Sequence, residues 1–137
     1  MRGEREAAAG QAAGDPRRER GRKGEEIACR YLRRRLYSII ETNFRTRYGE
    51  IDIIARRGNT IVFIEVKARR DKSYGEPFES VTPRKQSRIR RMAESWLMAH
   101  QHESPYNDCD FRFDVISILL DGSGKPGEFR HIEDAFW

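Results

Sequence analysis

Asp52, Glu65 and Lys67 are the residues of this chain whose types and spacing most directly suggest chemistry. Two carboxylates brought to one spot can hold a hard divalent cation, and an amine beside them can handle a proton or a developing negative charge. That is the equipment for hydrolysing a phosphodiester. Whether the three meet depends on the strands that carry them. Residues 50–57 (EIDIIARR) and 60–68 (TIVFIEVKA) read as strands, and Gly58-Asn59 between them is a hairpin turn. With a two-residue turn, Thr60 opposes Arg57, Phe63 opposes Ile54, Glu65 opposes Asp52 and Lys67 opposes Glu50.

Side chains alternate between the faces of a strand. One face of the hairpin then carries Ile51, Ile53, Ala55, Val62, Ile64, Val66 and Ala68. The other carries Ile61, Phe63 and Ile54 near the turn, and Asp52, Glu65, Glu50 and Lys67 at the far end. Opposed residues of an antiparallel pair lie about 4.5–5.5 Å apart at Cα, and like charges at that distance destabilise a sheet. A cation would offset this repulsion. The rival reading is a cross-strand ion-pair ladder in which Lys67 neutralises both acids, an arrangement worth little when exposed. The apolar neighbours favour the cation, because uncompensated charge among them is costly.

The remaining elements must hold this hairpin in place. Residues 1–20 are rich in Ala, Gly and Arg with almost no large apolar side chains, and read as a flexible tail; residues 21–137 read as one domain. Ile27, Ala28, Tyr31, Leu32 and Leu36 recur at helical spacing and predict a helix over 22–36. A short strand is expected at 37–43 and a loop over 69–82. Thr82-Pro83 is a cap followed by a first-position proline and opens a second helix, with Ile89, Met92, Ala93, Trp96 and Leu97 as its apolar stripe. Residues 101–109 read as a loop, 110–120 as a strand, Asp121-Gly122-Ser123-Gly124 as a turn, and Phe129–Ile132 as an edge strand. The order α-β-β-β-α-β, with a crossover helix before the last strand, predicts an α/β fold whose mixed central sheet is flanked by helices.

The bulk numbers bound the function. Of 137 residues, 27 are Lys or Arg and 22 Asp or Glu, giving a net charge of +5 and a pI near 9.5. Such a balance favours a polyanionic partner, nucleic acid before membrane. No apolar run is long enough to span a bilayer, and the N-terminus lacks the apolar stretch of a secretory signal. Cys29 and Cys109 form no metal or disulfide framework, which fits reduced thiols and a cytoplasmic location.

Gly49-Glu50-Ile51-Asp52, twelve residues, then Glu65-Val66-Lys67 resembles the core of the PD-(D/E)XK nuclease superfamily. Residues 21–137 more closely resemble the YraN family, which is similar in turn to archaeal Holliday-junction resolvases. The matching stretches are Gly24-Glu25 with Ala28 and Tyr31-Leu32, Asn43, GEIDIIA, VFIEVKAR, Lys85 and FRFDVI. The resemblance implies a restriction-endonuclease-like core and a Mg²⁺- or Mn²⁺-dependent endonuclease acting on DNA, with branched or structured DNA among the candidate substrates. It implies Asp52, Glu65, the Val66 carbonyl and Glu25 as metal ligands, Glu26 being a lesser candidate for the helical acid. It gives Lys67 the role of orienting or deprotonating water. Ile51 stands where the superfamily motif has proline. A homodimer is plausible by similarity to the resolvases.

Arg69 and Arg70 follow the catalytic strand. Arg84, Lys85 and Arg88, with Arg90 and Arg91, crowd the start of the second helix; phosphates could dock on these groups, or they form a solvated face. Gln86, Arg47 and Tyr48 are further candidates for substrate contact. His100, His102, Asp108 and Cys109 do not have the spacing of a closed zinc site. Asp114 with Arg112 on the same strand face reads as an ion pair, and Trp96 as core. Two other functions compete with the nuclease: a nucleic-acid-binding module without turnover, and a protein-interaction domain.

Overall fold

The computed structural model describes residues 15–71 and 81–136. Helix α1 spans Pro16–Arg34, and strands β1 (Ser38–Thr46), β2 (Gly49–Arg57) and β3 (Thr60–Arg69) follow it. Helix α2 covers Pro83–His100, and β4 (Asp110–Leu120) and β5 (Pro126–Phe136) complete the chain. The strands form one sheet in the order β1-β2-β3-β4-β5. Only β3 and β4 run parallel, with α2 as the connection between them; the other neighbours are antiparallel. The expected mixed α/β sheet is therefore present.

Each face of the sheet is buried under one helix. Ala28, Cys29 and Leu32 of α1 pack on Ile53, Ala55, Val62, Ile64, Ile116 and Ile118. Ile89, Met92, Ala93 and Trp96 of α2 pack on Ile54, Ile61, Phe63, Phe113 and Val115. Both faces of β3 are apolar because both are covered, as strands in a parallel pair require. No helix among the described residues is long and apolar enough to cross a membrane.

Helix α2 starts where expected, with Thr82 Oγ1 accepting from the Lys85 N–H at 3.2 Å and proline at the first position. Helix α1 starts at Pro16 rather than near residue 22. Asp15 caps it by accepting from the Arg17 N–H at 3.0 Å. The stretch 15–20 read as tail is thus helical; residues 1–14 of that tail, and 72–80 of the expected loop, lie outside the described residues. The last strand also runs well beyond Phe129–Ile132 on both sides.

One departure matters for function. The hairpin register matches the expected one from Arg57↔Thr60 to Ile53↔Ile64, and the pairing ends there. Ile51 then packs with Ile54, Ile61 and Phe63 under α2, not with Ile53 and Ala55 under α1. The alternation breaks at Asp52. Across the sheet in β1, Asn43, between the pairs Thr42↔Ile53 and Phe44↔Ile51, adopts a left-handed φ of 55°, a conformation Asn tolerates better than most residues.

Candidate metal centre

The break in alternation decides which groups meet. Glu25 of α1 and Glu50 and Asp52 of β2 each place a carboxylate oxygen within 4.8 Å of the others. Helix α1 reaches this point because Gly24 lies against β3: a Cβ there would sit 2.7 Å from Ala68 Cβ. The neighbouring Glu25 is thereby delivered to the edge of the hairpin. Asn43, turned by its left-handed backbone, donates from its amide to Glu25 Oε1 at 3.0 Å and to Glu50 Oε2 at 2.5 Å. Arg45 lies 3.7 Å from Glu50 on its outer side.

Asp52 sits where β2 and β3 part. The Val66 N–H, without a ladder partner in β2, donates to Asp52 Oδ2 at 2.8 Å. A strand residue turns its N–H and C=O toward the same neighbouring strand, so the Val66 carbonyl looks toward this site as well. Burial, then the charges of Glu65, Glu25 and Glu50, push the Asp52 carboxyl up to about 8, with the Val66 N–H pulling the other way. Burial likewise raises Glu25, helped by Glu50 and Glu65 and opposed by the Asn43 amide.

Glu65 approaches from the α2 side. Its carboxylate is 7% accessible as a residue, lies 3.4 Å from Lys67 Nζ, and makes a close ion pair with Lys85 of α2. It therefore influences Asp52 electrostatically yet stands apart from the trio within 4.8 Å. Its charge acts on Asp52 more strongly than that of Glu25 or Glu50, and two lysines hold it at the same time. Those lysines respond differently. Burial and the adjacent Lys85 lower the Lys67 pKa. Burial also acts downward on Lys85, but the Glu65 carboxylate outweighs it and the net shift is upward.

Oxygen-only donors suit Mg²⁺ or Mn²⁺ and are poor ligands for softer ions. Three crowded carboxylates, with the pKa values of Glu25 and Asp52 driven up, are a set that a cation would relieve, so the residues present fit the metal. Glu50 was legible as a member of the acidic end of the hairpin, but its part in this trio depends on Asn43 and could not be read from strand alternation.

The other sequence candidates scatter. Lys85 is committed to Glu65, and the Gln86 amide turns back to the Val81 carbonyl at 2.9 Å. Arg84 and Arg88 are exposed on α2, whose first turn holds no acid. Arg69 and Arg70 lie at the end of β3 beside Lys67, lining a cavity with it. Arg47 and Arg91 both lie over the Tyr48 ring, at 5.1 and 5.3 Å from its centroid. His100 stacks on Trp96 and bonds its carbonyl, while Cys109 Sγ faces Asn59 and Pro105. Glu26 is not part of the acidic trio.

Asp114 forms an ion pair with Arg112, as expected, at 3.0 Å. It is fully buried and also receives His131 Nε2 at 2.7 Å and the Asp134 N–H at 3.0 Å. These partners outweigh its burial and hold the carboxyl below its usual range. His131 Nδ1 meets the Tyr31 hydroxyl at 2.8 Å, and Arg112 donates to the Tyr37 hydroxyl at 2.7 Å. This network ties α1 to β4 and β5 and is structural.

Residues 24–118 match the uncharacterised protein family UPF0102. The chain belongs to that family. It is 49% identical over 116 residues to a UPF0102 protein of Geotalea uraniireducens (strain Rf4), covering 85% of this chain and 87% of that one. A UPF0102 protein of Syntrophomonas wolfei subsp. wolfei (strain DSM 2245B / Goettingen) is 44% identical, over 87% of this chain and 98% of its own. The matched span holds every residue of the acidic trio, both lysines around Glu65, and Asn43. The YraN-like resemblance read from the motifs is thus met at the level of the family.

Proposed function

We propose that this UPF0102 protein is a PD-(D/E)XK-type, metal-dependent nuclease that hydrolyses phosphodiester bonds of DNA. The convergence of Glu25, Glu50 and Asp52 within 4.8 Å, with the Glu65 charge acting on Asp52, is the observation that carries the reading. The trio would hold Mg²⁺ or Mn²⁺, with the Val66 carbonyl as a further donor. When bound, the ion would polarise a phosphate oxygen and make water more acidic.

The chain's own groups divide the remaining work. Asp52 is anchored by the Val66 N–H and cannot swing away from the site. Asn43 keeps Glu25 and Glu50 converged. Lys67 orients the attacking water with Nζ and stabilises the charge that grows on the phosphate; as the new P–O bond forms and the bond to the leaving oxygen breaks, the water gives its proton to solvent and the leaving oxygen takes one from it. Lys85 holds Glu65, whose carboxylate in turn positions Lys67. The basic groups of β3 and α2 contribute phosphate contacts, and the net charge of +5 favours the encounter.

The test is incubation of the purified protein with branched, single-stranded and duplex DNA in Mg²⁺ or Mn²⁺. Cutting that requires the metal and disappears in Asp52→Ala and Lys67→Ala supports the reading. Absence of cutting on all substrates defeats it. A second reading, a nucleic-acid-binding module without turnover, draws on the double engagement of Glu65 by Lys67 and Lys85. It predicts salt-sensitive binding that survives Glu65→Ala, with no cleavage.

A further inference from the structure

Past its Asp15 cap, the start of α1 is crowded with cations, which helix physics disfavours. A helix N-terminus bears partial positive charge and is stabilised by acids there. The opening of α1 instead reads Pro16-Arg17-Arg18-Glu19-Arg20, with one acid in its first turn. Directly opposite, β3 ends in Lys67, Ala68 and Arg69, and Arg70 follows. Between the two lies a cavity of about 420 Å³, walled by Arg17 and Arg20 on the helix side and by Lys67, Arg69 and Arg70 on the strand side. Asp71 is the one acid on its described wall. Arg17 and Lys67 each have an acidic partner, Asp15 and Glu65, yet five cations against one acid on the described wall leave an excess of positive charge that suits an anion.

We propose that this cavity is a phosphate pocket that grips the nucleotide next to the one being cut. The inference rests on the nuclease reading and extends it from the metal centre to the path of the substrate. Lys67 lies on the wall of the cavity and also beside Glu65 at the metal centre. A phosphate seated in the pocket is therefore a near neighbour of the reacting one along the same strand. Guanidinium groups suit the task because their forked donors match phosphate oxygens. Gly21 lies on the same wall, and a Cβ built there meets nothing within 4 Å. The backbone is thus bare where the ligand would approach the helix.

The pocket makes α1 a substrate-binding element as well as the carrier of Glu25. Arg17 and Arg20 belong to a stretch whose composition reads as tail, and the structure places them in a cationic wall.

The experiment measures binding of a short fluorescein-labelled single-stranded DNA by anisotropy over a range of salt. All proteins carry Asp52→Asn, so that no strand is cut. Arg17→Ala with Arg20→Ala is expected to weaken binding about tenfold and to flatten the slope of log K against log salt by about one. Gly21→Glu, which adds a carboxylate to the wall without meeting packed atoms, is expected to weaken binding at least as much. Far-UV circular dichroism checks that both remain folded. If the parent binds and both variants bind equally well with the same salt slope, the pocket is wrong and the nuclease reading stands. If the parent binds neither DNA nor RNA of any form, both fall together.

Discussion

Asp52 is the residue on which charge and chemistry meet. Its carboxyl is pushed from 3.8 to about 8 by burial first and by its acidic neighbours second. In the metal-free protein, Asp52 is protonated below about pH 4 whether the chain is folded or not. Between pH 4 and 8 the unfolded chain ionises it while the folded chain resists, so unfolding releases a proton and stability falls as pH rises. Urea unfolding at pH 5 and pH 8 should show this loss, and Asp52→Asn should reduce it. Mn²⁺ takes the place of the proton, so it should stabilise the protein more at pH 8 than at pH 5. Equal stabilisation at both values would argue against Asp52 as a ligand. Asp52→Ala removes repulsion and should leave the fold intact. Asn43 is tested differently: Asn43→Ala loses both amide bonds and strains a left-handed backbone, a cost of about 1–2 kcal/mol from the backbone alone. It should also weaken Mn²⁺ binding measured by calorimetry.

At the level of elements, α1 matters through how closely it approaches β3. Gly24→Ala would force a Cβ to 2.7 Å from Ala68, so the helix must lift. We expect about 1–3 kcal/mol of destabilisation, together with weaker Mn²⁺ binding because Glu25 moves with the helix. Gly21→Ala, three residues earlier, meets nothing and should stabilise the helix by up to about 1 kcal/mol. Thermal melts of the two variants separate the close approach from helix propensity. The elements also show what a sequence can and cannot disclose. The hairpin register, the Thr82-Pro83 start of α2 and the run of β4 follow from alternation, turn residues and capping chemistry, and all are present. Asp15-Pro16 is the same start signal, yet no large apolar residue follows it for ten positions, so apolar spacing does not reveal the helix. The reversal at Asp52 is invisible to a period of two, which carries no record of an irregular backbone such as the left-handed Asn43 on the strand opposite.

Across the whole molecule, Asp114 ties together elements that are far apart in the chain. Its partners are Arg112 on its own strand, His131 and Asp134 on β5, and through His131 the Tyr31 hydroxyl on α1. Replacing one member of a buried charged set leaves the others uncompensated. Asp114→Ala should therefore cost about 3–5 kcal/mol. Mn²⁺ affinity of the fraction that stays folded should be unchanged, since the acidic trio lies elsewhere. Calorimetric titration beside a urea melt reads both quantities. Because the Asp114 pKa is lowered, its contribution is present above the ordinary carboxyl range and lost as pH falls through the folded value. Mild acid thus relaxes Asp52, and only stronger acid, below the ordinary carboxyl range, loosens Asp114.

Asn43 has an effect beyond the metal centre. Strand β1 forms one border of the sheet and β5 the other, and a bare border invites another chain to add a strand. Neither border is straight. The left-handed Asn43 and the shift between Ile39 and Glu41 deform the first, while the left-handed Asp134 and two shifts in pairing deform the second. A flat ribbon from a second copy would lose its hydrogen-bond register within a few residues on either side. The torsion beside the acids also guards the sheet against sticking to itself.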